Sequence, residues 1–169
     1  MNSDQGASER DRLEALISAD ARALTAESDQ IGRLFAALHQ VHPNDFRALL
    51  HIMVAETAGT PMTSGELRNT MGVSAAAITY LVERLIGSGH IRRDSDPADR
   101  RKVILRHADH GRDTAIAFFT PLAAHTRAAM AELPDADLVA AHRVFAGLVG
   151  AMRRFQDELR SFRADVAVT

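Results

Sequence analysis

Apolar residues along the first forty positions recur at three-, four- and seven-residue spacings. Leu13, Leu16, Ile17, Leu24, Ile31, Leu34, Phe35 and Leu38 carry the pattern, and Arg12, Glu14, Arg22, Glu27, Asp29 and Arg33 fall mostly between them. That period predicts an amphipathic helix, either one long helix or two with a break near Thr25–Ser28. Residues 1–8 are polar and expected to be disordered. Val41-His42-Pro43-Asn44-Asp45 stops one helix and starts another: proline is accommodated at a first helical turn, and an aspartate there faces the positive end of the helix dipole. Phe46, Leu49, Leu50, Met53 and Val54 form the apolar face of this second helix, which Ala58-Gly59-Thr60-Pro61 closes.

The next elements are shorter. Thr63-Ser64-Gly65-Glu66 fits a capping box, with Thr63 as cap and Glu66 reaching back. Gly72 ends this short helix and Ser74 caps the next, whose buried side is Ile78, Leu81, Val82, Leu85 and Ile86. After Gly87-Ser88-Gly89 the period changes. Ile91–Asp94 and Lys102–Arg106 read as strands, and the polar stretch from Ser95 to Arg101 reads as the tip of a hairpin. From Gly111 the pattern is helical again, with a break at Leu133-Pro134-Asp135 and a last long helix carrying Leu138, Val139, Val144, Phe145, Leu148, Val149, Met152, Phe155 and Leu159.

Short helix, tight turn, longer helix and basic hairpin make a winged helix-turn-helix, running from about Met62 to Arg106. The expected fold class is mainly α: a winged helix-turn-helix with one two-stranded β-hairpin wing, flanked by N- and C-terminal dimerisation helices. The corresponding division is 1–8, 9–42 (N-terminal dimerisation helices), 43–106 (winged helix) and 107–169 (C-terminal dimerisation helices).

Composition adds limits. No apolar run approaches the ~18 residues a membrane helix needs, and the N-terminus lacks an apolar signal core, so neither a membrane span nor export is expected. The chain has no cysteine, which excludes disulfides, thiolate metal sites and cysteine redox sensing. Net charge is −2, yet between Met62 and Arg106 eight Arg/Lys stand against five Asp/Glu, while the rest of the chain is acidic. A basic island of that kind is the electrostatic footprint of a phosphate-binding surface. A helix lying in a major groove needs short or polar residues on its leading face. Ser74, Ala75, Ala76, Ala77, Thr79 and Tyr80 supply them, and Arg84 lies about one turn further on, either reaching DNA or paired with a neighbouring acid. Arg100 and Arg101 on a narrow ribbon could enter a minor groove, with Asp99 expected to fix a neighbouring guanidinium in a bidentate pair. No nucleophile–base spacing, phosphate-binding glycine loop or zinc-protease helix is visible, so no enzymatic activity and no cofactor are expected.

These residues carry a specific likeness. Gly72-Val73-Ser74, Ile78-Thr79, Leu81-Val82-Glu83-Arg84-Leu85, Gly89-His90-Ile91-Arg92-Arg93 and Asp96-Pro97-Ala98-Asp99-Arg100-Arg101-Lys102-Val103, preceded by Phe46-Arg47-Ala48-Leu49-Leu50, resemble the MarR family of bacterial winged-helix regulators. The resemblance implies a cytoplasmic, nucleoid-associated homodimer with interlaced terminal helices. It implies a repressor that binds a pseudo-palindromic operator in double-stranded DNA and is released by a small ligand, often an aromatic acid. It places Arg101 at the wing-tip minor-groove position, Asp99 as its acidic partner, and Thr79 and Arg84 at recognition-helix contacts. The terminal helices also hold more apolar positions than one small domain covers, which independently suggests a partner copy. The family's ligand region corresponds to the neighbourhood of His39, His42, Arg47 and His51. One departure is that Leu105-Arg106-His107-Ala108-Asp109-His110-Gly111 lacks the threonine that usually caps the following helix. An alternative within the same fold is a metal-responsive regulator, since His39/His42 and His107/His110 are close in sequence, although no metal ligand set is assigned.

Overall fold

The computed structural model describes residues 8–166, with side chains to 162, so the expectation of disorder over residues 1–7 lies outside the described residues. Ser8 is ordered: its hydroxyl accepts from the Asp11 N–H and Asp11 reaches back to the Ser8 N–H at 2.9 Å, a capping box that starts α1. The order is α1 (Glu9–Leu38), α2 (Pro43–Thr57), α3 (Ser64–Met71), α4 (Ala75–Gly87), β1 (Ile91–Ser95), β2 (Val103–His107), α5 (Asp109–Met130) and α6 (Asp135–Val166). α1 is one continuous helix with no break near Thr25–Ser28. Among the described residues the fold is therefore six helices and one two-stranded antiparallel sheet, and no helix is long and apolar enough to cross a membrane.

The local signals explain the boundaries. Pro43 occupies the start of α2, where its missing N–H costs nothing, and the His42 ring accepts from the Asn44 N–H at 3.2 Å. Thr63 and Glu66 form the reciprocal capping box, with Glu66 Oε2 2.6 Å from the Thr63 N–H. Gly72 ends α3 at φ +67°, a left-handed conformation that a Cβ penalises. Ser74 then caps α4 through the Ala77 N–H.

The described residues form two compact units, divided after Phe118. In the first, the core is Ala48, Leu49 and Ile52 of α2, Leu67 of α3, Ile78, Leu81, Val82 and Leu85 of α4, and Ile91 and Leu105 of the hairpin. The hairpin pairs Ile91 with His107 and Ser95 with Val103. Leu105 N–H donates to Met62 O at 2.8 Å, which ties the α2–α3 linker to the edge of β2.

The boundary between units falls inside α5. Residues 107–118 stay with the winged helix because the Ala108 N–H donates to His90 O at 3.0 Å and the Phe118 ring meets Phe35 edge-on at 5.0 Å. Phe35 also contacts Phe46 and His39, joining α1, α2 and α5. In the second unit, α6 places Leu138, Phe145, Met152 and Leu159 at seven-residue intervals, with Ala141, Leu148, Phe155 and Phe162 three residues after each. This is an a/d heptad stripe, and Phe145, Met152, Phe155, Leu159 and Phe162 are all exposed.

Candidate nucleic-acid interface

α4 divides into two faces. Ile78, Leu81, Val82 and Leu85 are buried, while Ser74, Ala75, Ala76, Ala77, Thr79 and Tyr80 are exposed together. The exposed face is small near its N-terminus, and the Thr79 hydroxyl is turned back to Ala75 O at 2.9 Å. Tyr80, 68% exposed, is its large side chain.

Arg84 does not project freely from this face. Its Nε donates to Asp45 Oδ2 at 2.6 Å and its Nη2 to Asp45 Oδ1 at 2.5 Å, a side-on bidentate pair between α4 and the first turn of α2. Asp45 is 3% exposed. Removing one partner of a buried ion pair costs roughly 3–5 kcal/mol, whereas a good bidentate base contact is worth about 1–3 kcal/mol. Leaving Asp45 for a base would therefore be a net loss. Of the two readings the sequence left open for Arg84, the geometry matches the acid pair. The Arg84 guanidinium carbon also lies 4.8 Å from the Tyr80 ring centroid. On the neighbouring turn, Glu83 holds Arg93 of β1 at 2.7 Å.

The wing tip is locally organised. Asp96 N–H donates to Lys102 O, and Lys102 N–H to Asp99 O, both at 2.9 Å. Asp99 Oδ1 receives the Arg101 backbone N–H at 3.1 Å and its Nε at 3.2 Å. The expected bidentate fork is thus replaced by one carboxylate oxygen shared between backbone and side chain, because two residues of separation bring the Arg101 backbone amide to the carboxylate first. These bonds hold the Asp99 carboxyl below the usual carboxylate range. The Arg101 side chain remains 93% exposed, and Arg100 is exposed beside it.

The wing root is fixed by a second network. Glu56 of α2 accepts from the His107 N–H at 3.1 Å, sits 2.7 Å from His107 Nδ1 and lies 3.4 Å from Arg106. Asp94 bridges Arg92 and Arg106, and Arg92 donates to His107 O at 2.7 Å. Burial raises the Glu56 pKa, but the His107 and Arg106 bonds outweigh it and hold the carboxyl below its ordinary value. Glu56 carried no local sequence signal for this role, since Glu56 and His107 are 51 residues apart.

The four residues considered for ligand contact have separate roles. His39 packs on Phe35 and Phe118, His42 caps α2, and the exposed Arg47 and half-buried His51 lie one turn apart on α2. The histidine pairs close in sequence diverge in space: His107 faces Glu56, whereas His110 meets the His90 ring edge-on at 5.4 Å. Among the described residues no group of three or more His, Asp or Glu could hold a metal ion.

Burial holds His90 and His51 below the ordinary histidine value, reinforced by His110, His39 and His107 around His90 and by Arg47 beside His51, with Asp45 opposing at His90. The folded state thus favours the neutral rings, whereas the unfolded chain takes up protons at about the ordinary 6.5. The stability this contributes is present above that pH and is lost as pH falls through the lowered folded-state values. Thermal unfolding at about pH 7.5 and about pH 5.5 should show the lower Tm in acid, and His90→Gln should reduce the difference.

Comparison with known proteins defines the class. The exposed α4 face beside a charged hairpin is a winged helix-turn-helix. Residues 39–102 match the model of the MarR family. It is 35% identical over 78 residues to an uncharacterized HTH-type transcriptional regulator, YcgE, of Bacillus subtilis (strain 168), a match covering 46% of this chain and 51% of the relative. The match therefore spans about half the length of that curated relative. A MarR family protein from Bacillus stearothermophilus shares the fold at 22% identity and TM-score 0.59, over 87% of this chain and 99% of that one. A transcriptional regulator from Thermotoga maritima does so at 23% and TM-score 0.52, over 81% and 94%. MepR of S. aureus, solved bound to ethidium bromide, does so at 12% and TM-score 0.51, over 80% and 95%. The family and the curated relative are transcriptional regulators, not enzymes.

Proposed function

We infer that the protein is a sequence-specific DNA-binding transcriptional regulator, acting as a homodimeric repressor on a pseudo-palindromic operator in the cytoplasmic nucleoid. The observation that carries this reading is the coexistence of a small-residue exposed face on α4 with two exposed arginines at the wing tip. α4 enters the major groove with Ser74, Ala75, Ala76, Thr79 and Tyr80 leading, and Arg100 and Arg101 follow the adjacent minor groove or backbone. Asp99 limits the conformations open to Arg101 before binding, which reduces the ordering cost. Arg84 serves by fixing α4 on α2.

The heptad stripe of α6, with the exposed leucines of α1, supports a second copy of the chain as partner. The organisation that follows is a reading unit over 43–106 with dimerisation helices before and after it. Release by a small effector is the family's usual control, and MepR, which shares the fold, was solved bound to ethidium bromide. Arg47 and His51 are the residues placed to meet an anionic group.

Arg101→Ala should weaken binding to a selected duplex by about tenfold, with Tm and oligomeric state unchanged, as read by a gel-shift titration at fixed salt. Unchanged affinity would remove the wing from the interface.

A further inference from the structure

The exposed face of α4 offers few groups able to read a purine by hydrogen bonds. Ala75, Ala76 and Ala77 have only methyls, the Thr79 hydroxyl is bonded to Ala75 O, and Glu83 is paired with Arg93. Arg84 is held by Asp45 through both carboxylate oxygens. Tyr80 is the remaining long side chain on this face, and it is exposed with the Arg84 guanidinium against its ring at 4.8 Å.

We propose that Asp45 and Arg84 are positioning residues that hold the Tyr80 ring in one orientation, and that Tyr80 determines sequence preference by contacting the 5-methyl group of a thymine in each half-site. This rests on the reading of α4 as the helix in the major groove. Three observations converge on it. The buried Asp45 carboxylate fixes the guanidinium from one side with a planar fork, which a single rotamer satisfies. The guanidinium in turn attracts the electron-rich face of the ring, a contact that favours one ring position. The ring, 68% exposed, stands beside a surface otherwise made of small side chains, chiefly alanine and threonine. In the major groove the thymine methyl is the apolar feature such a surface can recognise.

The experiment uses the full chain. A random duplex library is selected with the wild-type protein, and the enriched duplex is remade with single thymine-to-uracil changes, each of which removes one methyl group. At one position per half-site, uracil should weaken wild-type binding about fourfold, the amount expected for losing one buried methyl. Tyr80→Ala should bind thymine and uracil duplexes equally, and Tyr80→Phe should discriminate as the wild type does. Both changes are at an exposed position, so folding is preserved. Asp45→Asn combined with Arg84→Gln removes both charges together and leaves neither stranded; it should lose the uracil discrimination while retaining the helical circular dichroism. A merely structural role for the pair would lower affinity for both duplexes alike and leave their ratio at fourfold, which would overturn the positioning half of the proposal. If the wild type enriches a motif but Tyr80→Ala shows the same uracil effects, the specificity half is wrong and the DNA-binding reading stands. If the wild type enriches no motif, that reading itself fails.

Discussion

On the proposed dimer, Phe155→Asp is expected to give a monomer and to reduce binding to a two-half-site duplex by about a hundredfold or more. Phe155 is 60% exposed and belongs to the α6 stripe with Met152 and Leu159. Burying an aromatic side chain of this kind contributes about 1.5–3 kcal/mol, and both copies lose it. A carboxylate in the seam adds a desolvation cost on each side. The loss at DNA exceeds the loss of one contact because a monomer forfeits the second half-site, whose effective concentration comes from the linkage. Sedimentation velocity reads the assembly and a gel shift reads the affinity. Arg153→Glu, one position from the a/d seam on the same helix, should remain dimeric. A monomeric Phe155→Asp that still binds the full duplex tightly would show that the two activities are not coupled.

The second large effect is on stability. Gly111 lies in the first turn of α5 with its Cα against the His90 backbone: an added methyl would overlap the His90 carbonyl oxygen and lie 2.8 Å from its Cα. Backbone cannot swing aside as a side chain can, and the Ala108–His90 hydrogen bond holds the two segments together. Helix propensity alone favours alanine over glycine by about 1 kcal/mol. Overlap of this kind costs about 3 kcal/mol, so the clash decides the sign. Gly111→Ala should therefore lower Tm by several degrees, about 2–4 °C per kcal/mol for a chain this size. Gly147→Ala is the matched control on α6, where a methyl meets nothing within 4 Å, and it should leave Tm unchanged or raise it. Equal effects at the two glycines would show that propensity, not close approach, governs both.

The difference between those glycines marks what could be read from the sequence. Features set by neighbours two to four residues apart were legible: the Thr63/Glu66 box, the Ser74 cap, the Gly72 stop and the Asp99–Arg101 pair all use local spacing. The hairpin was legible because its period differs from that of the helices around it. Contacts closed by the fold carried no such signal. Asp45 looked like a residue suited to a helix start, and its role in holding Arg84, 39 positions away, appears only once α2 and α4 are packed. The same applies to Glu56 with His107, and to Gly111 with His90. The start of α5 is tied to the winged helix from outside, since His90 O receives the Ala108 N–H.

The central claim is that two copies of the exposed α4 face and wing tip meet one stretch of DNA. Hydroxyl-radical footprinting of the wild-type protein on its selected duplex tests it most directly. The expected result is a two-fold symmetric pattern, with recognition-helix centres about 34 Å apart and flanking minor-groove protections that disappear in Arg101→Ala. Protection without a dyad, or flanking protections that persist in Arg101→Ala, would contradict it.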